Sequence, residues 1–149
     1  TKEATAWLEE RLFAEVVGEP AGGAPLVFDD EYVASGGQLY ELVVGHDRFT
    51  ADLRPALMGA AEARQAGGAA PPGRRQRRRL CARPYDLCTA LVAREAGVPV
   101  TDEWGRPLAA PLDTVTDVAW VGYANDALKR QIEPVLQRLL RELGVPFSP

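Results

Sequence analysis

Residues 2–17, KEATAWLEERLFAEVV, set Leu8, Leu12 and Val16 on one stripe at helical spacing, with Phe13 and Val17 beside it. Gly18 and then Pro20 end the pattern, so the spacing predicts an amphipathic helix. A Gly- and Pro-rich loop, a short LVF run and an acidic turn at 29–31 follow. The segment SGGQLYELVVGHDRF then predicts a second helix, with Ser35 as its N-cap and Gly45 as its stop. Phe49, Ala51 and Leu53 alternate as in a half-buried strand, which Pro55 closes. PALMGAAEARQA is weakly helical, and residues 67–80 read as an Arg-rich surface loop.

Order returns at Leu80. From Pro84 the pattern is helical, with Leu87, Ala90 and Leu91 sharing a face and Gly97 closing the segment. A VPVTD strand, an EWGRPL turn and a strongly apolar DVAWVGYA strand come next. The last helix runs from Asn125 toward Leu143 on Leu128, Ile132, Val135, Leu136, Leu139, Leu140 and Leu143, with Pro134 expected to kink or split it. Strands alternating with helices predict one α/β domain over residues 1–149, with layered helices and a mixed, partly parallel sheet.

A chain of 149 residues with 46% hydrophobic content is long and apolar enough to bury a core. No apolar run approaches the roughly 20 residues needed to span a bilayer, and no signal-peptide pattern opens the chain, so a cytoplasmic address away from membranes is expected. The chain opens at Thr1 without Met, which fits a piece of something longer. Cys81 and Cys88 have neither CxxC spacing nor a secreted disulfide framework and read as reduced thiols.

Net charge is −4, yet six arginines lie between Arg74 and Arg83 with no acid from Gly67 to Tyr85. A run such as GRRQRRRLCARP attracts anions, but it lacks interleaved aromatics and sits on an acidic protein. A solvated loop that favours anionic ligands is the expectation, and nucleic-acid binding is the weakest of the functional readings.

His46, the one histidine, falls at a helix end, where a capping or surface role outweighs catalysis. No GxSxG elbow and no GxxxxGK[ST] loop occurs. Ser35, Gly36 and Gly37 enter a helix and either present N–H groups to an anion or form an ordinary tight turn. Asp86 follows the rigid Pro84 in the first turn of its helix, where it serves the helix dipole or projects into a crevice at a strand end.

Taken in order, Pro84-Tyr85-Asp86, Glu95-Ala96-Gly97, Val100-Thr101-Asp102 and Gly105-Arg106-Pro107 resemble the late signature of the inositol monophosphatase family of Mg²⁺-dependent, lithium-sensitive phosphatases. The resemblance covers roughly residues 33 to 143 and so corresponds to that family's C-terminal half. It implies the C-terminal domain of that fold, with Asp86 as catalytic Mg²⁺ ligand and Ser35, Gly36 and Gly37 lining the pocket. A further family carboxylate contacts substrate; ungapped, its position falls on Ala51, with Asp52 adjacent. Tyr85 stands where the family carries Trp, and Val98 where it carries a second Gly.

The family builds most of its metal cluster from its N-terminal half, from a Glu-Glu pair and an Asp-Pro-x-Asp-Gly-Thr motif, and the latter does not occur here. FDDEY at 28–32 lacks the Pro, Gly and Thr and reads as a solvated turn. One aspartate cannot assemble an octahedral Mg²⁺ site that activates water. The expectation is therefore part of a phosphomonoesterase for inositol, sugar or nucleotide phosphates, completed by a missing N-terminal half or a partner chain. The competing expectation is a non-catalytic binding module that keeps the fold and holds anions on its arginine loop. The resemblance also implies a homodimer.

Overall fold

The computed structural model describes residues 2–18, 34–65 and 81–147. Within them lie α1 (Lys2–Val16), α2 (Ser35–Val44), β1 (Phe49–Asp52), α3 (Arg54–Gln65), a 3₁₀ turn (Pro84–Leu87), α4 (Ala90–Glu95), β2 (Val100–Thr101), β3 (Trp120–Tyr123) and α5 (Asp126–Glu142). The LVF run, the FDDEY cluster and the arginines from Arg74 to Arg79 lie outside the described residues.

The domain is α/β, but its sheet is antiparallel throughout the described residues. Strand order is β1-β3-β2, with Phe49 opposite Tyr123, Asp52 opposite Trp120 and Val100 opposite Gly122. Both β1 and β2 run against β3, so they run parallel to each other. The expected parallel pairing does not form among the described residues, because β3 inserts between them.

All four residues of β3 are buried, and their side chains alternate between two cores. Val121 and Tyr123 join Leu8, Leu12, Leu57 and the α5 residues Leu136, Leu139 and Leu140 on one face. Trp120 joins Leu39, Leu42, Leu87, Ala93 and Val98 on the other. Thus α1, α3 and α5 cover one side of the sheet, and α2 with α4 covers the second. Gly122, where a Cβ would lie 2.5 Å from Leu42 Cδ1, lets α2 approach the sheet closely.

Helix ends follow local chemistry. Ser35 is the first helical residue and not the N-cap: Ala34 is extended there, and its carbonyl accepts from the N–H groups of Gly37 and Gln38. Gly45 adopts φ 81° as the left-handed stop. Asn125 caps α5 by accepting the Leu128 N–H at 3.0 Å.

Two expectations change for physical reasons. The segment after Pro84 is one 3₁₀ turn, then a fresh start at Ala90, so the helical register breaks; Leu87 and Ala93 are buried while Leu91 is exposed. Pro134 does not split α5, because it sits on the solvent-facing side, where water can satisfy the carbonyl left without a donor. Pro134→Ala restores one helical hydrogen bond, and we expect it to raise stability by about 1 kcal/mol, read as a higher thermal midpoint. A lower midpoint would show that the helix is shaped around the ring.

Candidate functional site

The structure gathers three of the segments that carry candidate residues. The first turn of α2 lies against the 84–89 turn: a Cβ on Gly36 would sit 3.4 Å from Thr89 Oγ1 and 3.6 Å from the Asp86 carbonyl oxygen. Thr89 Oγ1 donates across the same contact to the Gly36 carbonyl at 3.4 Å. Asp52, at the end of β1, reaches the chain just before the turn through the Ala82 N–H. The Ser-Gly-Gly turn therefore touches the Asp86 turn through Gly36, and Asp52 is tied to the chain that leads into it, although 51 positions separate Ser35 from Asp86.

Asp52 is 5% exposed, and both its oxygens are engaged. Oδ1 accepts from Arg54 Nε at 2.8 Å and from the Arg54 N–H at 3.2 Å, while Oδ2 accepts from Arg54 Nη2 at 2.8 Å and the Ala82 N–H at 3.0 Å. Such a carboxylate anchors chain to chain. Its geometry ties the end of β1 to residues 81–83 and so fixes where the turn begins.

Asp86 closes that turn. The Arg83 N–H donates to Asp86 Oδ2 at 2.9 Å, and the Asp86 N–H donates to the Arg83 carbonyl at 2.9 Å. This reciprocal pair is a cap, the helix-end role that its first-turn position suggests. Asp86 is half-buried, and Oδ1 has no hydrogen-bond partner among the described residues.

Arg83 and Asp117 complete the site, and local sequence pattern does not single them out. The Arg83 guanidinium lies 2.6 Å from Asp117 Oδ1 and also donates to the Val115 carbonyl, which ties the 113–117 loop to the turn. Asp113 folds that loop by accepting from the N–H groups of Val115 and Thr116 and from the Thr116 hydroxyl. Those bonds to Thr116, then Val115, hold the Asp113 carboxyl below the usual range. The only hint of Arg83 in sequence is its membership of the arginine run.

Beside Asp117 opens a cleft of about 340 Å³ lined by Asp102, Glu103, Arg106 and Thr116 among others. Asp102 accepts from the N–H groups of Trp104 and Arg106 at 2.9 Å and from Arg106 Nε at 2.6 Å, so it organises the Gly105 turn. Burial pushes the Glu103 carboxyl up, helped by nearby Asp102 and opposed by its own backbone hydrogen bond and Arg106. Burial and then Glu133 also push the Tyr123 hydroxyl up, against a hydrogen bond with Thr101.

His46 is exposed, with Nδ1 2.6 Å from Glu41 Oε2, at the far end of α2 from the Ser-Gly-Gly turn. Glu9 and Glu10, the chain's one adjacent glutamate pair, are exposed on α1, which packs on α3 and α5. Cys81 is buried and Cys88 exposed, and no disulfide joins them.

A Mg²⁺ ion takes near-octahedral oxygen ligands, commonly from more than one carboxylate with water. Among the described residues no three His, Cys, Asp or Glu side chains gather where they could hold a metal ion. One half-buried aspartate with one oxygen to spare does not fit a complete Mg²⁺ site, so no reaction step is derived through the metal. No protein-family model matches the chain, and no curated protein or solved structure is significantly similar to it.

Proposed function

We propose that this chain is the C-terminal half of a Mg²⁺-dependent phosphomonoesterase acting on inositol, sugar or nucleotide phosphates, and that it needs further carboxylates from outside the described residues. The observation that carries this reading is the contact between the first turn of α2 and the Asp86 turn. It brings the Ser-Gly-Gly and Pro-Tyr-Asp motifs into contact across some 50 residues of sequence. In this reading Asp86 offers Oδ1 as one metal ligand. Ser35, Gly36 and Gly37 line the substrate side, because small residues at a helix N-terminus let an anionic ester approach the backbone. Asp52 acts on the site by holding residues 81–83 in place. The remaining ligands come from an N-terminal half or a second copy, and a cytoplasmic address goes with this chemistry.

The cap geometry of Asp86 favours one competing reading, a non-catalytic module that keeps the fold and binds anions. In it Asp86 does no more than close its turn.

The test is inorganic phosphate release from inositol, fructose and nucleotide phosphates, with and without Mg²⁺, by the longest polypeptide whose reading frame contains residues 1–149. Mg²⁺-dependent release is expected, lost in Asp86→Asn while circular dichroism stays unchanged. An undiminished rate in the variant overturns the role of Asp86, and no release by the wild type leaves the binding module standing.

A further inference from the structure

The fresh start of α4 at Ala90 turns Leu91 outward, 57% exposed, toward Leu112, which is fully exposed on the segment between β2 and β3. Both line a groove of about 300 Å³ that Leu87, Val100 and Leu108 also line. A single exposed leucine calls for no explanation, since much of any folded surface is apolar. Here two, Leu91 and Leu112, line one concavity together with the part-buried Val100 and Leu108. Among the described residues the ionisable side chains lining it are Arg94 and the Cys88 thiol, with no carboxylate. Arg94 lies in the last turn of α4, where a cation suits the helix dipole. Arg94, like Arg48 and Arg130, has no ion pair among the described residues, and of these it alone lines the groove.

We infer that this groove binds a small free monoanionic amphiphile, a carboxylate carrying an alkyl or aryl tail, with the tail on the leucines and the head on Arg94. Two observations select that class. The volume sits at the small end of the roughly 300–1,000 Å³ typical of small-molecule sites, which favours a short ligand over a protein segment. An apolar lining with one cation and no acid is complementary to a lone negative head and not to a cation or a polar sugar. The inference does not depend on the phosphatase reading, because neither Asp86 nor the Ser-Gly-Gly turn lines this groove.

Cys88 supplies a reporter, since it is exposed and lines the groove while Cys81 is buried. The probe is decanoate below its micelle concentration, with 1-decanol as uncharged control, and the readout is the rate of Cys88 alkylation by iodoacetamide. Decanoate is expected to slow alkylation saturably by at least ~tenfold, and Arg94→Gln to weaken that protection ~tenfold with circular dichroism unchanged. Absence of protection, or equal protection by decanol, overturns the inference without any variant. Protection by anionic phospholipid vesicles but not by monomeric decanoate overturns it in favour of a membrane-facing surface. None of these outcomes bears on phosphate release.

Discussion

Asp52→Ala is expected to lower the free energy of unfolding by about 3 kcal/mol, because it strips a buried acceptor from two chain segments at once. Two parts of that cost differ in kind. Arg54 is 48% exposed and can return its guanidinium to water, so its share is small. The Ala82 N–H has no such escape, since Ala82 is 3% exposed and its donor would be left buried without a partner. Arg54→Met would leave the Asp52 carboxylate, 5% exposed, without its cation and so carries a cost of its own. The tie to residue 82 is read instead by adding Asp52→Ala to Arg54→Met, where urea denaturation is expected to show a further loss of about 1 kcal/mol or more. No further loss in that background would mean that the Arg54 pair, and not the tie to residue 82, holds the segment. A loss under about 0.5 kcal/mol for Asp52→Ala, the range of ordinary surface changes, would remove the anchor from the account.

A second large effect is expected at the centre of the sheet. Gly122→Val places branched carbon where even a single Cβ would lie 2.5 Å from Leu42 Cδ1 and 3.4 Å from Trp120 Cζ3. Leu42 is 2% exposed and Trp120 fully buried, so neither can swing into solvent. Overpacking of this kind costs about 3 kcal/mol, and it should push α2 off the sheet. Leu42→Ala alone also destabilises, by leaving a cavity. Combined, the two changes should cost clearly less than their sum, because one removes the obstacle to the other. Strict additivity in the double-mutant cycle would show that Gly122 does not set the approach of α2.

How far the sequence reveals this molecule depends on how local each determinant is. The stripe of Leu8 and Leu12, the stop at Gly45 and the spacing of Ile132, Leu136, Leu139 and Leu140 are local, and the helices follow them closely. Strand order is not local. Nothing within β1 or β2 announces that residues 120–123 will lie between them. The break at Cys88 and Thr89 also escapes periodicity, because a 3₁₀ turn shifts the register without any Gly or extra Pro to mark it.

The site divides in the same way. Asp86 is visible by its motif and by its place in a first turn, and its cap bond spans only three residues. Asp52 to Ala82 and Arg83 to Asp117 are long-range pairs, and no spacing rule encodes either. The family resemblance places Asp52 beside a substrate position on adjacency alone. Its burial and four accepted hydrogen bonds instead give it the work of an anchor.

The central place of β3 also bears on the order in which the chain can assemble. Residues 49–52 and 100–101 emerge from a ribosome before 120–123, and among the described residues neither joins a ladder until the last one arrives, apart from a single bridge between Thr101 and Pro107. Until then two unpaired edges and the apolar faces of α2 and α3 stand open to other chains. Sheet formation must close loops of about 20 to 70 residues, a separation that slows folding relative to local contacts. Among the described residues, a nascent chain halted before Trp120 would thus hold helices with no sheet to lie on, and the period of greatest exposure to misassembly ends only when β3 is threaded between its neighbours.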